Sequence, residues 1–140
     1  MFSINKEIKT TKLLLKAVSL LLIANVDGMI AKEEAVYLSI MLGKNTKIIF
    51  LADKYTKQNA IHLEYDNLIK FILQVKEELT LDEVYSLIIN MIDLMYIDGD
   101  INKEQEKLID LFVDTCEVDV DKYQDFRQLI QLKFMLSKNS

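Results

Sequence analysis

Two short segments carry the residue types best suited to chemistry. Asp27-Gly28-Met29-Ile30-Ala31-Lys32-Glu33-Glu34 and Asp98-Gly99-Asp100-Ile101-Asn102-Lys103-Glu104-Gln105 agree at five of eight positions, at an offset of 71 residues. Carboxylates gathered by a tight turn hold hard cations. An aspartate-glycine pair, an isoleucine two residues past the glycine and an acidic residue four further on have the spacing of EF-hand loop positions five, six, eight and twelve. The leading ligands of such a loop are missing. Positions one and three fall on Ile23 and Asn25 in the first segment and on Leu94 and Tyr96 in the second, while position twelve is Glu34 in one and Gln105 in the other. Ordinary EF-hand calcium binding is thereby disfavoured.

The same residues also suit a plain structural corner. Gly28 and Gly99 permit a positive backbone angle after a helix, Ile30 and Ile101 would plug the gap between two helices, and Ala31 and Asn102 occupy cap positions. Glu34 and Gln105 stand at the third helical position, from which a side chain can reach back to the cap. Asp27 and Asp98 can accept amide hydrogens within the turn.

Elsewhere the chemical inventory is thin. His62 is the lone histidine and Cys116 the lone cysteine, which leaves little scope for histidine-based catalysis and none for an internal disulfide or a thiolate zinc cluster. A metal-dependent hydrolase using the same carboxylates is disfavoured, since no positioned base, nucleophile or phosphate-cradling glycine loop is visible. Seventeen basic against twenty-two acidic residues give a net charge of −5. That balance repels a phosphate backbone and excludes nucleic acid as a partner. It suits an acidic helical surface, with patches at Glu77-Glu78, Asp82-Glu83 and Glu117 to Asp125.

The elements that must position these residues are helices. In 140 residues there is no proline, 51% are hydrophobic and 28% charged, the composition of one domain over 1–140. A lone cysteine is compatible with a cytoplasmic setting. The apolar run Leu13 to Val26 follows Lys6, Lys9 and Lys12 but is broken by Lys16 and closed by Asp27-Gly28, so it is expected to be a buried central helix and not a signal peptide or a membrane span. It runs from about Lys6 to Asn25. Further helices are predicted over Ala31–Leu42, stopped by Gly43, over Thr46–Lys57, and from Asp66 to Leu79. Thr80-Leu81-Asp82-Glu83 is a capping box that opens a fifth helix ending at Asp98-Gly99-Asp100, and Asn102 to Gln105 is a second box that opens a sixth. A last helix follows the acidic link and frays near Ser137. Methionines are expected as adaptable core filler and tyrosines as core-edge residues with wet hydroxyls.

The repeat extends beyond the corners. Both copies follow a long apolar helix and precede an amphipathic one, and Leu21, Ile23 and Val26 fall on Ile92, Leu94 and Ile97. The spacing therefore predicts an internal duplication of a helix-loop-helix unit. A doubled helix-DG-x-I-helix motif in an acidic, proline-free helical chain of this size resembles the TerB-like domain family, of tellurite-resistance proteins and the DjlA co-chaperone, over Leu13 to Leu136. The resemblance implies an all-α compact bundle of about seven helices with pseudo-twofold symmetry, and an acidic pocket for a divalent cation. It also implies a non-enzymatic binding or scaffold role in bacterial stress or phage defence, with membrane-associated or chaperone protein partners. Asp27 and Glu34 match the first DG-x-I-x-x-x-E motif and Asp98 the second, from which Gln105 departs; Asp100 and Glu104 are candidates to compensate. Such oxygen ligands suit Ca²⁺, Mg²⁺ or Mn²⁺ over zinc or copper.

Overall fold

A computed structural model describes residues 4–26, 30, 32–43, 46–97 and 101–138, with side chains from residue 11 to 136 outside positions 27–29, 31, 44–46 and 98–100. Within them the chain is all-helical: α1 Ile4–Ala24, α2 Lys32–Met41, α3 Thr46–Gln58, α4 Tyr65–Glu78, α5 Leu81–Tyr96, α6 Lys103–Thr115 and α7 Val120–Lys138. The helices form a compact bundle around one core.

The core forms around α1 and α5. Apolar residues almost all round a helix leave it no face that water can take, and accordingly Leu15, Val18, Leu20, Ile23 and Ala24 of α1 are buried, together with Leu87, Ile88, Met91, Ile92, Leu94 and Met95 of α5. These two helices pack on each other, α3 lies along α1, and α7 lies along α5. Helices α2 and α6 follow their respective core helices, and α4 links the two groups, touching α1, α5 and α6. Each fully buried leucine, isoleucine or methionine side chain stabilises the bundle by roughly 1.5–3 kcal/mol. Ser19, buried beside them, donates its hydroxyl to the Leu15 carbonyl one turn back at 2.7 Å, so its polarity is satisfied within α1.

Local signals set the helix ends. Thr80 caps α5 by accepting the Glu83 backbone N–H, and the Glu83 carboxylate accepts the Thr80 backbone N–H, the reciprocal box expected from the sequence. Asn102 caps α6, its Oδ1 accepting the N–H groups of Glu104 and Gln105. The Gln105 amide nitrogen turns inward to partners far away in sequence. Asp119 caps α7 through the N–H groups of Asp121 and Lys122. Gly43 ends α2 with φ +66°. The same left-handed ending is adopted without glycine by Ala60 after α3 and Glu117 after α6, with φ of 49° and 55°. Both make the paired backbone bonds of a Schellman turn, Ile61 to Thr56 with Ala60 to Lys57, and Val118 to Val113 with Glu117 to Asp114.

Several finer expectations change. Ile30 and Ile101 are 40% and 46% exposed and do not plug the gap between helices. Each stands in the non-helical stretch ahead of its helix, and the buried side chains nearby belong to the first turns instead. Met91 and Met95 are core filler, but Met41 and Met135 are exposed. The Tyr37 and Tyr123 hydroxyls are not left to water, for Tyr37 lies 3.0 Å from both Asn90 Oδ1 and Asp93 Oδ2, and Tyr123 donates to Asp110 at 2.9 Å. Burial, reinforced by those carboxylates, pushes both hydroxyls far above the usual phenol range. Among the described residues no helix is long and apolar enough to cross a membrane.

Candidate functional site

Glu34 and Gln105 occupy the third position of α2 and of α6, and the fold brings these two first turns together. Glu34 is 3% exposed and Gln105 2%. Gln105 Nε2 donates to Glu34 Oε2 at 2.8 Å and to the Ile23 carbonyl at 3.0 Å. A primary amide nitrogen has two hydrogens, so both are engaged. A carboxylate out of water requires compensation. Part of it comes from the Gln105 amide, and the dipole of α2, positive at its start, favours an acidic side chain in the first turn. The bridge ties together the end of α1 and the starts of α2 and α6.

Lys12 and Glu83 form a second link between the sequence halves. Lys12 Nζ lies 2.8 Å from Glu83 Oε1, and Lys16 Nζ lies 3.5 Å from Oε2. The bond from Lys12, then the Thr80 backbone N–H, hold the Glu83 carboxyl down at about 2 against an ordinary 4.5. Helix α1 is thereby fastened to the capped start of α5.

Of the proposed metal ligands, Glu34 lies in the buried bridge. Glu104, one residue before Gln105, is exposed and lies 3.6 Å from Lys107 of its own helix. Asp27, Asp98 and Asp100 lie outside the described residues, as do Gly28 and Gly99 with the turn conformation expected of them. Among the described residues no three His, Cys, Asp or Glu side chains gather where they could share an ion. The described donors therefore do not build a cation site by themselves.

The two residues with nucleophile or base chemistry are placed differently. Cys116 is buried at the end of α6, and burial pushes its thiol up to about 11, with Lys76 opposing weakly. Little thiolate exists there at neutral pH. His62 is exposed in the turn between α3 and α4, where it lines a cavity of about 380 Å³ at the end of α1. Sequence analysis gave this cavity no signal, since its walls come from α1, α3, α4 and α6. Comparison of the chain with family models, with curated proteins and with solved structures returns no match.

Proposed function

We propose that this chain is a non-enzymatic, TerB-like binding or scaffold module made of two duplicated helix-loop-helix halves, serving a bacterial stress or tellurite-resistance type of response through protein partners. The observation that carries this is the buried Glu34–Gln105 bridge. Its two members are 71 residues apart, the offset that aligns the two DG segments. When two copies pack about a twofold axis the contact surface is self-complementary, so a residue on the axis meets its own counterpart. Lys12 and Glu83 are also 71 apart and in contact. Two such pairs support a duplicated body and, with it, the TerB-like reading.

A binding role is supported by apolar side chains left outside the core at helical spacing. Val36 and Ile40 are exposed on α2, and Leu129, Leu132 and Leu136 on α7. Exposed apolar residues grouped on one helix face mark surfaces that partners cover. The acidic excess adds a salt-sensitive component to such contacts. The buried, protonated Cys116 thiol gives no support to covalent catalysis.

The divalent cation belongs to the same proposal as its second part. It rests on Asp27, Asp98 and Asp100, with Glu34 and Glu104 at their flanks. Thermal melts with and without millimolar Ca²⁺, Mg²⁺ or Mn²⁺ test it, because an ion held only by the folded state raises the midpoint by mass action. A rise that Asp27→Asn with Asp98→Asn removes supports these ligands; a rise that survives the double variant refutes them. No rise with any ion leaves the scaffold function alone. That function is tested by capture from the native cell: a partner lost at high salt and lost with Val36→Asp/Ile40→Asp is expected, and a variant that retains every partner contradicts it.

A further inference from the structure

We propose that the cavity at the end of α1 is a binding site for a small amphipathic carboxylate. The cavity holds about 380 Å³, within the span of about 300–1,000 Å³ common for small-molecule sites. Leu21 and Leu22 of α1, Ile61 after α3, Leu68 of α4 and Leu108 of α6 give it apolar walls. Polar groups come from Asn25 after α1 and, on the α3 side and the turn that follows, from Asp53, Thr56, Lys57 and His62. An apolar chamber with polar groups along one side selects a ligand with a hydrocarbon body and one polar end.

Lys57 and His62 are the lining groups that can donate to an anionic end, and Asp53 is the one that opposes it. Lys57 Nζ lies 2.9 Å from Asp53 Oδ2, but both side chains are exposed and one turn apart on α3. An exposed pair of this kind is weak, so the ammonium can turn to a ligand carboxylate while Asp53 stays in water. The Thr56 hydroxyl donates to the Ala52 carbonyl at 2.8 Å, which leaves it an acceptor. The N–H donors of Lys57 and His62 remain to meet a carboxylate, whose charge strengthens both bonds.

The corner at the end of α5 shows why this one is open. Tyr96, 71 positions after Asn25, is buried and stacks on Phe134 of α7 with ring centroids 6.4 Å apart. Asn25 lines the cavity and has no ring to fill it. Leu22 and Leu108 also line it, whereas their counterparts Asp93 and Tyr37 bond to each other. One corner is filled by an aromatic ring, and the other is left open. This contrast uses the duplication proposed above; the cavity and its lining do not depend on it.

The test uses the full chain and three ten-carbon probes, decanoate, decanol and decylamine, followed by calorimetric titration and by displacement of the anionic fluorophore 1-anilinonaphthalene-8-sulfonate. Decanoate is expected to bind saturably and more tightly than decylamine. Lys57→Gln should weaken decanoate about tenfold, a charge-assisted bond's worth, and leave decanol within about twofold. Asn25→Tyr, which supplies the missing ring, should abolish binding of both while its melt shows an intact fold; should it unfold, Leu108→Phe serves instead. No saturable decanoate binding up to millimolar concentration overturns the proposal. So do tighter decylamine binding, an unchanged decanoate affinity in Lys57→Gln, and wild-type affinity in a folded, cavity-filled variant. Divalent ions and the DG aspartates play no part in this experiment, so its failure is distinguishable from that of the duplicated module.

Discussion

Gln105 is the residue on which the most depends, because it answers a buried carboxyl group. Replacing it by leucine keeps the volume but removes the amide hydrogens that Gln105 gives to the Glu34 carboxyl group and the Ile23 carbonyl. Removing one partner of a buried hydrogen bond leaves the other with a desolvation cost that the bond had offset. Gln105→Leu should therefore lower the unfolding free energy by about 2–4 kcal/mol, read as a lower urea midpoint at unchanged slope. Glu83 is a different case, a half-exposed carboxylate with several partners. Its folded pKa of about 2 lies below the ordinary 4.5, so it stabilises the native state above pH 4.5 and loses that contribution as pH falls toward 2. Glu83→Gln should be less stable than the parent by about 1–2 kcal/mol at neutral pH, and the gap should close when urea melts are repeated in steps down to pH 2. A gap that stays constant with pH would assign the loss to packing instead.

At the scale of the element, local signals were legible in the sequence and tertiary ones were not. Thr80 and Glu83 lie three residues apart, so their reciprocal cap can be read from four letters; Thr80→Ala should cost about 1 kcal/mol of stability, measured by thermal or urea melts. Asn102 was legible as a cap for the same reason. The Gln105 side chain was not, because its partner Ile23 is 82 positions away and the carbonyl that claims its hydrogen belongs to another helix. The endings of α3 and α6 were hidden in another way. Left-handed residues are usually glycine, but Ala60 and Glu117 take that role, with the buried Ile61 and Val118 locking the turn behind them. An alanine there carries a Cβ penalty of roughly 1 kcal/mol. Ala60→Gly should raise the melting midpoint by a few degrees, corresponding to about 0.5–1 kcal/mol; a lowered midpoint would show that the turn tolerates its Cβ without strain.

For the whole molecule, the apolar periodicity announced a helical bundle with α1 at its centre, since a helix apolar all round has nowhere else to go; that α5 shares the centre was not read from the sequence. The repeated DG segments suggested a correspondence between positions 71 apart. Neither showed that Glu34 would meet Gln105, because a contact between residues 71 apart needs the packing as well as the pattern. The cavity at the end of α1 was equally illegible, its walls being scattered over four helices. If the halves are duplicates about a twofold, positions 34 and 105 have interchangeable surroundings, with Leu94 standing for position 34 where Ile23 stands for position 105. Exchanging the two residues tests this most directly. Gln105→Glu alone sets two carboxylates together in the core and should cost about 3–5 kcal/mol, whereas the double exchange Glu34→Gln/Gln105→Glu restores one donor and one acceptor. Urea denaturation should return the double variant to within about 1 kcal/mol of the parent; a double variant as unstable as Gln105→Glu alone would contradict the twofold relation.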